Sequence, residues 1–181
     1  MKLLTVCGSL RAISSNAEVL RAVAFLAPAG AEVARFDGLA ELPHFNPDDE
    51  AIDLPPVRAW RAALMSAGGV LVSSPEYAHG IPGVLKNALD WVVGSGEFSG
   101  KPVALVNAAP RATHAPVQLR EVLVTMDARV FGPVLVPLSG RRVDAERIAA
   151  DPALADPLRQ AIEALARMVD EHGAATDTGF R

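Results

Sequence analysis

The stretch VSSPEYAHGIPGVLKNALDW (residues 72–91) runs an apolar strand into a Pro-Glu-Tyr turn, across a Gly80-Pro82-Gly83 hinge and on into an amphipathic helix. Val70, Leu71 and Val72 form the continuous apolar run that a parallel strand buried on both faces requires. Pro75 ends that strand, because it has no N–H to give to a central ladder. Proline suits the first turn of a helix, so Ile81-Pro82-Gly83 opens the next element. Val84, Leu85, Ala88, Leu89, Trp91 and Val92 then recur at helical spacing. The segment 75–80 is therefore expected at the carboxyl end of a strand, where open α/β sheets bind their ligands.

A matching pattern lies at the amino terminus, in GSLRAISSN (residues 8–16). Leu3-Leu4-Thr5-Val6-Cys7 reads as a buried strand, and 17–26 reads as a helix with Val19, Leu20, Val23 and Leu26 turned inward. The loop between them is rich in hydroxyls and carries one arginine. Such a loop directs hydroxyls, backbone N–H groups and a helix N-terminus at one point, which suits a phosphate. Arg11 adds a planar charged fork matched to phosphate oxygens. The other reading of Ser14, Ser15 and Asn16 is that they cap the helix.

Together the two stretches resemble the NADPH-dependent FMN reductase family, whose members carry GSLRxxSxN after the first strand and PEYNxSxPGxLKNAxDW after the third. The corresponding segments here are GSLRAISSN and PEYAHGIPGVLKNALDW. The resemblance implies an FMN-dependent NAD(P)H oxidoreductase passing hydride through the flavin to quinones or similar small acceptors by a ping-pong cycle. NADPH or NADH would be the co-substrate. It also implies a homodimer or homotetramer. Flavodoxin-type electron carriers and flavin-binding sensor modules without turnover share the fold and stand as the alternatives.

Composition narrows the classes. The chain has 181 residues, 50% of them apolar and 21% charged, which suits one domain with a substantial core; residues 1–181 are read as a single FMN-binding domain. A formal net charge of −4 without a basic cluster excludes nucleic acid as the expected partner. Apolar runs are short, so no membrane association is expected, and residues 1–7 are too short for a signal-peptide core; a cytoplasmic location is the expectation. Cys7, the single cysteine, is expected as a small buried hydrophobe, and His44, His79, His114 and His172 lack metal-ligand spacing.

Period and punctuation predict strands at 2–7, 31–36, 69–74, 101–107 and 129–137, alternating with helices near 16–27, 55–67, 82–94, 115–127 and 152–172. Five strands separated by helices imply an α/β three-layer sandwich around a five-stranded parallel sheet. Neither GxGxxG after the first strand nor GxxxxGK[ST] is present, which argues against a dinucleotide fold and a nucleotide triphosphatase. A flavodoxin-like order 2-1-3-4-5 fits, because its switch point gathers the loops after strands 1 and 3. The loop 37–55, containing LPHFNPDDE, is long enough to be functional or mobile.

The resemblance places FMN phosphate against Ser9, Arg11, Ser14 and Asn16, and the ribityl chain and ring edge along Pro75, Glu76, Tyr77 and Ala78. Glu76 is equally readable as a turn carboxylate bonded to local backbone, and Tyr77 as packed on the protein. The family usually has Asn where Ala78 stands, and often Ser at Gly80. Asn107, Arg111 and His114 are expected in the active-site wall; Arg111 either meets the nucleotide's phosphates or is a solvated charge. LKNALDW (residues 85–91) reads as architecture, with no chemical role for Lys86 or Asp90. No catalytic side chain and no metal site are expected, because the flavin would carry the chemistry. Leu42, Phe45, Ile81 and Trp91 are expected to offer apolar surface to a second subunit.

Overall fold

The computed structural model describes residues 1–138 and 142–178, with side chains through residue 172. The chain alternates β1 (Lys2–Cys7), α1 (Ser15–Leu26), β2 (Glu32–Phe36), α2 (Pro55–Ser66), β3 (Gly69–Ser73), α3 (Gly83–Asp90), β4 (Pro102–Asn107), α4 (His114–Thr125), β5 (Arg129–Leu135), α5 (Ala145–Ala150) and α6 (Pro152–Thr178). All four strand pairings are parallel and the sheet order is β2-β1-β3-β4-β5. This is the flavodoxin-like sandwich that the alternating pattern predicts.

Period-two alternation along the strands divides the core into two layers. Leu4, Val6, Val70, Val72, Val103 and Leu105 face α2, α3 and α4, where they meet Trp60, Leu64, Leu85, Leu89, Leu119 and Leu123. Leu3, Leu71, Ala104 and Val106 face the opposite side and meet Val19, Val23, Ile148, Leu158, Ile162 and Leu165. β1 and β3, at the centre, are buried on both faces, as continuous apolar runs require.

Several elements differ from expectation, among them α6, which runs on to Thr178 rather than ending at 172. Regular helix in α3 stops at Asp90 rather than 94, because Gly94 and Gly96 follow and Gly96 takes φ +78°. β5 ends at Leu135 rather than 137: Gly132 and Pro133 break its register with β4, which an edge strand tolerates. α5 is an unanticipated single turn and a half, capped where the Asp144 carboxylate accepts from Arg147 N–H at 2.9 Å. Six residues give too little periodicity to read from sequence.

The loop 37–55 folds into two short 3₁₀ turns, Gly38–Glu41 and Pro47–Asp49, and is tied down from α3. Asn87 Oδ1 accepts from Phe45 N–H at 2.8 Å, and Asn87 Nδ2 and Trp91 Nε1 both donate to Pro43 O, at 2.9 and 2.8 Å. The Phe45 ring meets Trp91 edge-on at 5.1 Å between centroids. The LKNALDW helix is thus architecture, and Lys86 pairs with Asp90 one turn away at 2.5 Å. The same packing corrects an expectation: Leu42 and Trp91 are 7% and 1% exposed, and Phe45 and Ile81 are partly buried against the core. They are consumed within the fold and offer little surface to a partner.

Candidate functional site

Strand order brings three loops side by side along the carboxyl edge of the sheet: 8–14 after β1, 74–82 after β3 and 107–113 after β4. The first is anchored to the second at its root. Gly8 N–H donates to Ser73 O at 2.9 Å, and a Cβ on Gly8 would stand 2.5 Å from Ser74 Oγ and 2.9 Å from Ser74 Cβ. Only glycine allows the two loops to approach this closely.

Ser14 is the N-cap of α1, its buried Oγ accepting from Ala17 N–H at 3.4 Å. Asn16 is also buried, and its Oδ1 accepts from Ser73 Oγ at 2.8 Å, locking α1 onto β3. Both residues therefore shape the loop through internal bonds. Ser9 Oγ accepts from Arg11 N–H at 3.3 Å and turns the backbone. The Arg11 side chain is exposed between exposed Leu10 and Ile13, with no hydrogen-bond or ion-pair partner among the described residues. Helix geometry leaves the first N–H groups of α1 without intrahelical acceptors beside it. Cys7 is half-buried and donates weakly to Ser9 O; burial pushes its thiol pKa up, which disfavours the thiolate.

The second loop is a tight hairpin. Tyr77 and Gly80 exchange backbone hydrogen bonds at 2.9 and 3.0 Å, and Ala78 and His79 form the turn with φ +49° and +60°. Two consecutive positive φ values are those of a type I′ turn, which Asn and Gly ordinarily fill. The family's Asn at the Ala78 position thus has a backbone reason as well as a side-chain one. Tyr77 is 51% exposed, so its ring is free of the interior. Pro75 is half-buried at the base.

Glu76 joins the second loop to the third. Its Oε2 accepts from His114 and Ala115 N–H at 2.7 and 2.8 Å, capping α4 from another element. Those N–H donors, Ala115 first, hold its carboxyl below the ordinary value of 4.5 against the opposing desolvation, and electrostatic attraction to the nearby His114 and His79 adds to the lowering. Asn107 is likewise a clamp. Its Nδ2 donates to Ala112 O and its Oδ1 accepts from Ala109 N–H, both at 2.9 Å, so the loop is folded around it. Arg111 projects from that loop, exposed and without a hydrogen-bond or ion-pair partner among the described residues. The His79 and His114 rings stack across the two loops, 4.2 Å between centroids and 18° between planes. The sequence named both histidines, yet nothing in it showed that residues 35 positions apart would touch.

At this edge a small cleft of about 10 Å³ is lined by Val72, Ser74, Leu105, Asn107, Ala115 and Pro133. Larger concavities of about 450 and 340 Å³ flank α2, away from the three loops. No set of three or more His, Cys, Asp or Glu among the described residues is placed to hold a metal ion.

The description of NADPH-dependent FMN reductases matches residues 1–141, which contain all three loops. The chain belongs to that family. It is 32% identical over 173 residues to the NAD(P)H-dependent FMN reductase PA1204 of Pseudomonas aeruginosa, covering 91% of this chain and 93% of the relative. It is 33% identical to a quinone reductase of Escherichia coli K12, over 72% of this chain and 73% of that one. Among solved structures, the flavoenzyme NAD(P)H:(acceptor) oxidoreductase FerB of Paracoccus denitrificans aligns with a TM-score of 0.78 and 26% identity, covering 94% of this chain and 98% of its own. An archaeal flavodoxin at 17% identity and TM-score 0.58 shares the fold alone. The family's fingerprint loops are therefore the ones that this fold gathers at one edge. No helix among the described residues is long and apolar enough to cross a membrane.

Proposed function

We propose that this FMN reductase family member holds FMN across the three loops and uses it to pass hydride from NAD(P)H to quinones or similar small acceptors. The observation that carries the reading is an unpartnered Arg11 next to the first turn of α1, where Ser14 caps Ala17 but leaves the leading N–H groups open, beside a Gly8 contact too close for any side chain. A guanidinium, backbone N–H groups and the hydroxyls of Ser9 and Ser14 form a donor set suited to a terminal phosphate. The donor chemistry fits FMN, and FMN bound there would supply the hydride chemistry.

The chain's own residues bind and orient. Arg11 neutralises phosphate charge, while Ser14 and Asn16 keep the loop in shape through their bonds to Ala17 and Ser73. The backbone of Pro75, Tyr77 and Ala78 lies along the path from phosphate to reacting ring, and Glu76 fixes that backbone through α4. Exposed Tyr77 is available to a flat ring system. Arg111 and His114 line the far wall from the third loop, and Asn107 keeps that wall rigid. The open edge accepts the two substrates in turn, which is the basis of a ping-pong cycle. Residues 1–181 act as one domain. Exposed Leu10, Ile13, Tyr77 and Val117 favour a homodimer or homotetramer in place of the residues consumed by the fold. The working location is the cytoplasm, where NAD(P)H is supplied.

The test is one protein and one variant. Purified protein should release FMN on denaturation, and Arg11→Ala should weaken FMN binding by about 1.5–3 kcal/mol. Double-reciprocal plots at several quinone concentrations should be parallel. Unchanged FMN affinity in the variant removes Arg11 from the site, and intersecting lines refute the shared open face.

A further inference from the structure

We propose that Arg111 and the stacked His79 and His114 make the acceptor end of the site select quinones that carry an ionised oxygen, such as hydroxyquinones and quinone carboxylates. This rests on the reductase reading above and adds the substrate class.

Position comes first. The phosphate loop follows β1, and the loops after β3 and β4 succeed it along the edge, so a ligand anchored at Arg11 extends toward His79, His114 and Arg111. Charge comes second. Across residues 8–14, 73–80 and 107–115 the sequence holds two arginines and two histidines against one acid, Glu76, in a chain whose net charge is −4. That acid is already satisfied by two N–H donors at the start of α4. Arg21, Arg35, Arg58, Arg129 and Arg159 each bond a carboxylate, whereas Arg111, like Arg11 at the other end of the edge, has no such partner among the described residues. An unpaired guanidinium at the mouth of a site is a fork without its anion.

Rigidity comes third. His79 is held at φ +60° in a hairpin closed by two backbone bonds, and His114 N–H is fixed by Glu76. Backbone strain of this kind persists only where surrounding contacts over-determine it. The stack thereby holds the two imidazoles together across two loops that the Glu76 carboxylate already ties to each other. Asn107 does the same for Arg111 by folding 107–112 into a fixed turn. A neutral quinone gains nothing from these donors beyond ordinary hydrogen bonds, while an anionic one gains charge-assisted bonds.

The experiment uses the FMN-loaded enzyme with 2-hydroxy-1,4-naphthoquinone, ionised at neutral pH, and its neutral 2-methoxy counterpart. The ratio of kcat/KM for the anion to that for the neutral compound is compared between proteins, which cancels the intrinsic difference in their reduction potentials. Arg111→Gln should lower the ratio about fivefold or more, mainly through KM for the anion, and Arg111→Lys should restore part of it. His79→Asn, which keeps the turn's backbone preference, should lower the ratio as well. Calorimetric binding of redox-inert 1-naphthoate against 1-naphthamide should show the same loss of preference in Arg111→Gln. An enzyme that binds FMN and reduces the neutral quinone, yet shows an unchanged ratio in both variants, overturns the acceptor proposal alone. Absence of turnover with either quinone overturns the reductase reading and this proposal with it.

Discussion

Replacing Ala78 by glycine should stabilise this protein, although glycine ordinarily weakens whatever it enters. Ala78 sits at φ +49° in the hairpin after β3, exposed to solvent, so the substitution removes one methyl group and no buried contact. A non-glycine residue in the left-handed region is disfavoured by about 1–2 kcal/mol. The greater freedom of glycine in the unfolded chain offsets about 0.4–1 kcal/mol of that relief. The net gain is at most about 1.6 kcal/mol and about 0.8 kcal/mol at mid-range, the latter about 2–3 °C in Tm for a chain of this length. Urea unfolding of both proteins at one fixed FMN concentration measures it. Ala59, exposed within α2, supplies the contrast: Ala59→Gly should cost about 1 kcal/mol, as glycine does inside a helix. Equal destabilisation by the two substitutions would refute the claim that the hairpin backbone is strained.

The Glu76 cap has a pH signature. A carboxyl held below its ordinary 4.5 contributes stability that is fully present above that value and lost as pH falls through its lowered folded-state value. The stability difference between wild type and Glu76→Gln should therefore be flat above about pH 5 and shrink in more acidic solution; a difference constant down to pH 2 would contradict the cap. Asn87→Ala removes two hydrogen bonds to the loop 37–55 and should cost about 1–3 kcal/mol. Amide exchange at Phe45 should accelerate while that of β3 stays protected, and unchanged exchange at Phe45 would show that the loop is held by packing alone. Gly8→Ala forces a Cβ into Ser74 and should weaken FMN binding more than it lowers thermal stability, because the strain falls on the phosphate loop; intact FMN affinity would show that the loop can yield.

Much of the site was legible because its signals are local. The strand-to-loop transitions at Cys7 and Ser73, the capping serine at Ser14 and the proline at Pro75 act over a few residues, and their positions in sequence are their positions in structure. Ser14, Asn16, Glu76 and Asn107, which the sequence singles out, do lie in or beside these loops, but their own atoms are engaged in holding the loops together. Their partners lie on other loops or elements, or across a turn whose path the sequence does not give. Glu76 illustrates this best, since its acceptors' partners are N–H groups 38 and 39 residues away.

The sequence by itself determined the alternation of buried strands and amphipathic helices, the parallel sheet, its order and the two fingerprint loops. Periodicity and turn chemistry are properties of neighbouring residues, and handedness rules leave few topologies compatible with them. Only the tertiary structure decided which polar side chains remain available for ligands. Burial of Leu42 and Trp91 removed them from the surface, the α4 N-terminus engaged Glu76, and the meeting of two loops stacked His79 on His114. Whether a donor or acceptor is free depends on what folding carries to within 3 Å of it, and that distance is set by packing between segments far apart in the chain.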